Sequence, residues 1–406
     1  MLQRFKVENF YSINTAQEIS FEINEKDKLD DSSTKIQNKY LNNISCLLGH
    51  NGSGKTNLLR AVTFLFWFID KSYEHQRSDK TIPIESHKLY SNKNSKFELD
   101  FVHENNFYRY IIELNKNYVV KENLSQKIER GYSRIFEITR DSDKKIEKLI
   151  FGNKKIKLNN SDFLRLEEKN NISTFSFLKG AGYLTPLKLE NFKNIFSNKF
   201  SNIFKQGRKW FDPLEASFKY SKQLSESENI FKKVSELIKD FDLGISDLLF
   251  RDYKIGLVTE NRSIKILHCK HTKGQKSFDL PIVEESEGTQ NSIYLLSDLL
   301  NILEIGGIAI IDEIETSIHP YVVKKLISLF ADKKKNKHNA QLIFSTHQAW
   351  FLQDRTKTQI FLVEKDGNLE TEVWCLDDME KIRNDENYFN KYMTGAYGAV
   401  PELKWF

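Results

Sequence analysis

The amino-acid sequence predicts an α/β fold with a mixed central sheet, an antiparallel β subdomain and a short helical lobe. Three observations lead to this prediction. Residues 44–69 run from a short apolar segment through a glycine-rich loop into an amphipathic stretch, which is the pattern of a strand, a loop and a helix. Apolar runs at 307–311 and 341–344 are typical of parallel strands buried on both faces. Residues 97–156 alternate like antiparallel strands, and residues 160–242 follow a mainly helical pattern.

The loop at residues 49–56, Gly-His-Asn-Gly-Ser-Gly-Lys-Thr, matches the phosphate-binding pattern G-x-x-x-x-G-K-T. Glycines let successive backbone N–H groups approach phosphate oxygens, and the following helix adds the positive end of its dipole. Lys55 would neutralise the β- and γ-phosphates of ATP, and Thr56 would hold Mg²⁺. The alternative, a glycine-rich turn with a solvated lysine, loses weight once the later motifs are counted. The nucleotide-binding residues predicted here are Gly49, Asn51, Gly52, Ser53, Gly54, Lys55, Thr56 and Asn57.

The apolar run at 307–311 ends in two acidic residues, Asp312 and Glu313. Carboxylates at the end of a buried strand beside a phosphate loop suit two tasks. Asp312 would coordinate Mg²⁺ through water, and Glu313 would polarise the water that attacks the γ-phosphate. The competing interpretation is that both acids cap a following helix, whose start we expect at Thr316 and Ser317.

A second strand at 341–344 leads to His347, which we expect at the same edge of the sheet. His347 would then hydrogen-bond the γ-phosphate or the attacking water. A single histidine after a strand is more often an ordinary loop residue, so the prediction depends on its position.

Residues 285–290, Glu-Ser-Glu-Gly-Thr-Gln, precede a helical pattern with apolar residues on one face. Ser286 is expected to be the N-cap of this helix, and Gly288 in the first turn leaves the backbone open to an anion. Taken alone, this segment is only a capped helix.

Taken together, the motifs resemble those of the ABC-type ATPases of the RecF and SMC group. Within that group, the chain is similar to the small bacterial AAA-family ATPases of abortive-infection and other anti-phage operons, such as the ATPase component of PARIS-like or RloB-associated systems. The stretch from about residue 70 to 280 resembles them only loosely. The matching stretches are 5–13, 49–56, 285–290, 311–320, 341–348 and 395–401.

The resemblance implies the head of an ABC-type ATPase and a head-to-tail dimer with two ATP molecules between the heads. Residues 286–290, Ser-Glu-Gly-Thr-Gln, correspond by this resemblance to the signature loop of ABC-type ATPases, in a form that suits this subfamily. The family's usual metal-contacting glutamine has no assigned counterpart between residues 57 and 285. By this resemblance, Lys55 and Thr56 would bind phosphate and Mg²⁺, and Asp312 would bind the metal. Glu313 would act on the attacking water, and His347 would contact the γ-phosphate. Ser286 and Gly288 would contact the nucleotide across the dimer.

The length of 406 residues exceeds what one hydrophobic core usually supports, so at least two lobes are expected. The predicted division is 1–159 for the first ATPase lobe with the β subdomain, 160–242 for the helical lobe, and 243–406 for the second ATPase lobe. No apolar run approaches the roughly 20 residues of a membrane span, and no secretory signal precedes the first strand, which predicts a cytoplasmic protein that does not contact a membrane. Three widely spaced cysteines fit a reducing compartment.

Residues 189–204 and 268–271 allow two further predictions. Apolar residues between 189 and 204 predict one helical stripe, and we expect its phenylalanines to form a docking surface for the same chain or a partner. Basic and aromatic residues beside the stripe leave open either a nucleic-acid contact or an ordinary solvated helix face. Residues 268–271, His-Cys-Lys-His, are better interpreted as a polar edge strand than as a metal site.

The function predicted is ATP hydrolysis in a homodimer or higher homo-oligomer that controls a separate effector protein, a nuclease or toxin, in anti-phage defence. Glu364 and the acids at 377–378 are too close in sequence for a nuclease domain, and we expect Glu364 and Lys365 in a β-hairpin. A phage protein as trigger stays open. The alternatives are a RecF-like ATPase of DNA repair, with DNA as partner, and a scaffold that binds nucleotide without hydrolysis. The net charge of +5 decides little between them.

Overall fold

The computed structural model describes residues 1–24, 32–74, 81–154, 156–187, 189, 192, 195–204, 207–208, 212–241, 243–255 and 262–401. The helices of these ranges are α1 (Lys55–Lys71), α2 (Asn160–Glu168), α3 (Thr174–Gly180), α4 (Pro213–Ser225), α5 (Glu228–Lys239), α6 (Glu287–Ile305), α7 (Pro320–Ala331) and α8 (Tyr388–Met393).

The strands of the first half are β1 (Leu2–Glu8), β2 (Gln17–Ser20), β3 (Glu22–Ile23), β4 (Ser33–Ile36), β5 (Lys39–Asn42), β6 (Ile44–Leu48), β7 (Ser95–His103), β8 (Asn106–Leu114), β9 (Val119–Ile128), β10 (Gly131–Arg140) and β11 (Ile146–Phe151). Those of the second half are β12 (Lys199–Ser201), β13 (Ile203–Phe204), β14 (Gly207–Arg208), β15 (Ile245–Ile255), β16 (Arg262–Lys273), β17 (Lys276–Pro281), β18 (Ile308–Ile311), β19 (Gln341–Thr346), β20 (Ile360–Lys365) and β21 (Thr371–Cys375).

A six-stranded mixed sheet in the order β12-β18-β19-β6-β20-β21 forms the centre of the protein. Its first five strands run parallel, and β21 returns antiparallel to β20. The carboxyl ends of β6, β18 and β19 therefore meet at one edge, where ligands of open α/β sheets bind. The prediction of a mixed central sheet is confirmed.

Strand β18 is apolar throughout because both of its faces are covered. Along β18, Ile308 and Ile310 pack into the core that contains α1, whereas Ala309 and Ile311 face a second core beneath α5, α6 and α7. Alternate residues of a strand point to opposite faces, so a strand between two cores has no polar side.

A seven-stranded antiparallel sheet in the order β11-β10-β9-β8-β7-β1-β2 covers α1 from the other side. It contains the antiparallel region predicted between residues 97 and 156, together with the first two strands of the chain. Smaller sheets have the orders β15-β16-β17 and β3-β5-β4. Each helix in the described ranges is too short or too polar to span a bilayer.

The prediction of one helical stripe between residues 189 and 204 is wrong. Lys199–Ser201 form β12 instead, the edge strand that pairs in parallel with β18. Phe192 and Phe196 are only 3% and 2% exposed and belong to the main core, so they cannot form a docking surface. Apolar residues at helical spacing can also be buried from an irregular chain that lies against a core. The flanking residues Lys188, Lys193, Lys205, Lys209, Trp210 and Phe211 fall outside the described residues.

Two further expectations need correction. Residues 268–271 lie in β16, which is the middle strand of its sheet and not an edge. The helix after the acidic pair begins at Pro320, later than expected, with His319 as its N-cap. Among the described residues, no three His, Cys, Asp or Glu side chains are placed to share a metal ion.

Candidate active site

The phosphate loop connects β6 to α1 and requires its glycines. Gly52 and Gly54 have φ angles of +82° and +110°, which favour glycine. A Cβ on Gly54 would lie 2.0 Å from Thr371 Oγ1, and one on Gly49 would lie 2.1 Å from the carbonyl oxygen of Val363. The loop therefore packs directly onto the hairpin formed by β20 and β21.

Hydrogen bonds from both ends of the chain hold the loop. The Thr371 hydroxyl donates to the carbonyl oxygen of Ser53 at 3.1 Å and lies 2.7 Å from the Ser12 hydroxyl. Asn57, in the first turn of α1, donates from Nδ2 to Ser12 Oγ at 2.7 Å. These contacts hold the loop against the β20–β21 hairpin and against Ser12.

Lys55 begins α1 and reaches back over the loop. Its ammonium donates to the carbonyl oxygens of Gly49 at 2.7 Å and His50 at 3.0 Å. Burial lowers the pKa of Lys55 to about 8, although the negative charges of Asp312 and Glu313 act in the opposite direction. An anionic ligand would favour the charged form of this lysine.

Thr56 and Asp312 meet where β6 and β18 end. The Thr56 hydroxyl donates to Asp312 Oδ2 at 2.8 Å, and the Ser345 hydroxyl donates to Asp312 Oδ1 at 2.6 Å. Asp312 is only 3% exposed, so its carboxylate keeps one orientation. A hydroxyl and a carboxylate at this distance are the oxygen donors that Mg²⁺ prefers.

Asn202 is a neighbour of this pair that sequence reasoning missed. It follows β12, and its side chain brackets the backbone of Asp312: Oδ1 accepts from the Asp312 N–H, and Nδ2 donates to the Asp312 carbonyl oxygen, both at 2.8 Å. Only the pairing of β12 with β18 brings these residues together across 110 positions of sequence. A pattern search along the chain offers no signal for such a contact.

Glu313 and His347 face each other across the end of the sheet. His347 Nε2 lies 3.2 Å from Glu313 Oε1, and His347 Nδ1 lies 3.5 Å from the Lys55 ammonium. The backbone of Glu313 has a φ of +49°, an uncommon conformation for a residue with a side chain. It is held by the Glu313 N–H, which donates to Ser345 Oγ at 2.8 Å. The expectation that His347 and the acidic pair share one edge is confirmed.

The loop, the acidic pair and the histidine enclose one cleft of about 260 Å³. Lys365, at the end of β20, also lines it, although sequence reasoning placed this lysine only in a hairpin. The residues lining the cleft are Asn51, Gly52, Gly54, Lys55, Thr56, Asn57, Asp312, Glu313, His347 and Lys365.

Ser286 and Gly288 do not line this cleft. As predicted, Ser286 is the N-cap of α6, and its hydroxyl accepts from the Thr289 N–H at 3.2 Å. A Cβ on Gly288 would lie 2.7 Å from the carbonyl oxygen of Ser317, and the Ser317 hydroxyl donates to Glu287 at 2.9 Å. The first turn of α6 is therefore packed against the turn that follows the acidic pair.

Comparison with known proteins gives similarities at low identity. The chain is 22% identical over 382 residues to the Retron Vc95 probable ATPase of Vibrio cholerae serotype O1 biovar El Tor, covering 80% of this chain and 69% of that protein. Among solved structures, the SMC head domain from Thermotoga maritima is similar with a TM-score of 0.40 and 11% identity, covering 92% of this chain and 98% of that one. The Smc head domain with an extended coiled coil bound to the C-terminal domain of ScpA, derived from Pyrococcus furiosus, gives a TM-score of 0.41 and 13% identity, covering 93% and 96%.

A family model matches residues 44–352, from the strand before the phosphate loop to the segment after His347. This range contains Lys55, Asp312, Glu313 and His347 together with β6, β18 and β19, and it is well over half of the chain. The protein therefore belongs to the family described as "AAA domain, putative AbiEii toxin, Type IV TA system".

Proposed function

We propose that this protein binds ATP with Mg²⁺ and hydrolyses it to ADP and phosphate. The observation that carries the proposal is the meeting of Lys55, Thr56, Asp312, Glu313 and His347 in one cleft, although they come from three separate parts of the chain. A solvated lysine turn or a pair of capping acids does not require this convergence. The family to which the chain belongs supports the same conclusion.

The donor set fits Mg²⁺. Thr56 and Asp312 present a hydroxyl oxygen and a carboxylate oxygen 2.8 Å apart, and Ser345 and Asn202 hold Asp312 from behind. Mg²⁺ in such a site neutralises charge on phosphate oxygens. Thr56 and Asp312 would be its protein ligands.

The other groups of the cleft would bind the phosphates and orient the attacking water. Lys55 would bring positive charge to the β- and γ-phosphates, and the open backbone at Gly52 and Gly54 would bind phosphate oxygens. Glu313, held in its unusual backbone conformation, would orient and polarise the attacking water. His347 would donate to the γ-phosphate or fix Glu313, because its two ring nitrogens lie near Lys55 and Glu313.

We further propose that two copies share each site. Ser286 and Gly288 lie outside the cleft of their own chain, against Ser317. A head-to-tail dimer would present the capped start of α6 to the nucleotide of the partner subunit. We keep the predicted division into lobes at 1–159, 160–242 and 243–406 as part of this proposal. The phosphate loop then lies in the first lobe, and Ser286 and Gly288 lie in the third.

The biological output we propose is control of a separate effector, a nuclease or toxin, in anti-phage defence, with a phage protein as trigger. The similarity to a retron ATPase and the family's description support it. PARIS-like and RloB-associated systems, which the sequence motifs resemble, are the models for this arrangement. A homodimer or larger homo-oligomer would hold or release the effector according to its nucleotide state.

The first experiment measures phosphate release from ATP and GTP by the purified chain, with and without Mg²⁺. Lys55→Ala should abolish nucleotide binding, and Lys96→Ala, which changes an exposed lysine of β7 outside the cleft, should match the wild type. Absence of nucleotide binding by the wild type would overturn the proposal.

A second experiment tests the output by co-expressing the chain with its genomic neighbours. Recovery of the complex should depend on whether ATP or ADP is present, and on Lys55. Co-purification with DNA and no protein partner would favour the repair alternative instead.

A further inference from the structure

The cleft contains a second lysine that no recognised motif explains. Lys365 is the last residue of β20 and lines the cleft with Lys55 and the two acids. Lys55 is already engaged, because its ammonium donates to two carbonyl oxygens of the loop. Within the described ranges, the Lys365 ammonium has no hydrogen bond or ion pair. An unpaired cation at the wall of a cleft is available to an anionic ligand.

Strand register shows which way Lys365 faces. It pairs directly with Thr371 of β21, and directly opposed residues of an antiparallel pair have their side chains on the same face. The Thr371 side chain contacts the phosphate loop, donating to the Ser53 carbonyl and filling the space beside Gly54. Lys365 therefore lies on the face of the hairpin that borders the loop.

Glu364, the residue before Lys365, faces the opposite side of the hairpin and contacts a turn near residue 399. Glu364 Oε2 accepts from the Ala399 N–H at 2.8 Å. Ala399 and Gly398 have positive φ angles of 58° and 73°, so this turn has a defined conformation that brings the Ala399 N–H to the carboxylate. The turn belongs to residues 395–401, a stretch that sequence comparison singled out and that ATP chemistry has not explained.

We propose that Lys365 is a second cationic ligand of the nucleotide phosphates, positioned by the clamp between Glu364 and the turn at Gly398–Ala399. This inference rests on the proposed function. Lys365 binds the phosphates through its ammonium from the β20 side, and Lys55 binds them from α1. Glu364 acts only through its neighbour: it ties the end of β20 to the C-terminal turn and so fixes where Lys365 stands.

The test measures ATP and ADP affinity by equilibrium titration of the full chain. Lys365→Met keeps the length of the side chain without its charge and should weaken binding of both by about tenfold, the usual scale for one charge-assisted hydrogen bond in a partly exposed site. Lys365→Arg should stay near the wild type. Lys96→Met is the matched control and should change nothing. Lys365→Gln serves in place of Lys365→Met if the latter does not fold.

Unchanged affinity in a folded Lys365→Met or Lys365→Gln protein would overturn the inference. Its failure is distinguishable from failure of the proposed function. If the wild type binds ATP and Lys55→Ala does not, the ATP site stands whatever Lys365 does. If the wild type does not bind ATP, the proposed function itself fails.

A double-mutant cycle tests the clamp. Glu364→Ala should weaken ATP binding in the wild-type background and add no further loss in the Lys365→Met background, because both changes remove the same contact. Fully additive losses would show that Glu364 acts by another route and would overturn its positioning role.

Discussion

The hydroxyl of Ser345 joins the two acidic residues of the site: it donates to Asp312 Oδ1 at 2.6 Å and accepts from the Glu313 N–H at 2.8 Å. One buried side chain on β19 thereby sets both the direction of the Asp312 carboxylate and the backbone of Glu313. The neighbouring strand β19 therefore contributes to the orientation of both members of the candidate catalytic pair.

Ser345→Ala should therefore slow ATP turnover by about tenfold or more, because misplacing a positioned group costs rate before it costs affinity. ATP affinity should change little. Single-turnover phosphate release and equilibrium titration measure the two effects separately. The matched control is Ser45→Ala on β6, whose buried hydroxyl has no hydrogen-bond partner among the described residues. Equal turnover in both variants would contradict the orienting role.

Glu313→Gln should bind ATP like the wild type and turn it over about 10² to 10⁴ times more slowly, the range for loss of a positioned proton acceptor. The amide keeps the size of the side chain but cannot polarise water in the same way. Size-exclusion chromatography with ATP should show accumulated dimer. Glu372→Gln, an exposed carboxylate on β21, is the control, and normal turnover in Glu313→Gln would remove it from the proposed role.

Ser286→Asp should abolish hydrolysis without weakening ATP binding to the separate subunit. Aspartate caps a helix as well as serine does, so α6 should form, but its charge would repel the phosphates of the partner's nucleotide. Gly288 is less suitable for this test, because any side chain there meets the carbonyl oxygen of Ser317.

Mixing Ser286→Asp with Lys55→Ala provides the decisive measurement. If the sites are shared, each mixed dimer regains one intact site, and activity should appear on mixing two inactive proteins. A mixture that stays inactive at every ratio would argue that each chain completes its own site.

ATP affinity should fall as pH rises above about 8, the pKa to which burial lowers Lys55. Below this pH the lysine is charged in the free protein and attracts phosphate. Above it the free protein has lost this proton, so binding of the nucleotide must be accompanied by proton uptake, which lowers the affinity. Affinity measured from pH 6.5 to 9.5 tests this. Lys55→Arg, which stays charged, should show no such decline, and a flat wild-type profile would contradict the assignment.

Lys199→Met should stabilise the protein, and more at pH 6 than at pH 9. Burial lowers the pKa of Lys199 to about 7, and its ammonium lies 5.2 Å from the centroid of the Phe66 ring. The unfolded chain keeps this proton to about pH 10.5, so stability should rise as pH passes through the folded pKa and up to the unfolded one.

Thermal unfolding with and without the substitution should show a rise in the midpoint of roughly 1 to 4 °C at pH 6. Lys96→Met is the control for loss of a surface charge. A larger gain at pH 9 than at pH 6 would contradict this sign and exclude a charged, partly buried Lys199 whose pKa is lowered.

The sequence predicted the parts of the site whose chemistry is local. The phosphate loop needs glycine, lysine and threonine at adjacent positions, and buried strands that end in Asp312 and His347 signal an edge of a sheet. Asn202, Ser345 and Lys365 carry no such local signal. Their roles depend on which strands are neighbours and in what register, so they became visible only when the sheet was assembled.

The prediction of a helical stripe between residues 189 and 204 was wrong for a related physical reason. Phe192 and Phe196 recur at helical spacing, yet they fill a core beneath α1 and the antiparallel sheet, and the chain then enters the central sheet as β12. Periodicity reports which residues are buried. It does not distinguish an amphipathic helix from an irregular segment laid over a core whose other walls come from distant sequence.

The position of β6 in the central sheet has a consequence for how the protein is made. Its two neighbours, β19 and β20, both come from the last quarter of the chain, so β6 and the loop that follows it wait for roughly 300 residues of synthesis before either partner strand exists. Thr371, which holds the loop, emerges from the ribosome later still. A nascent chain therefore cannot form the loop geometry described here at residues 49–56 until β19, β20 and Thr371 have been synthesised.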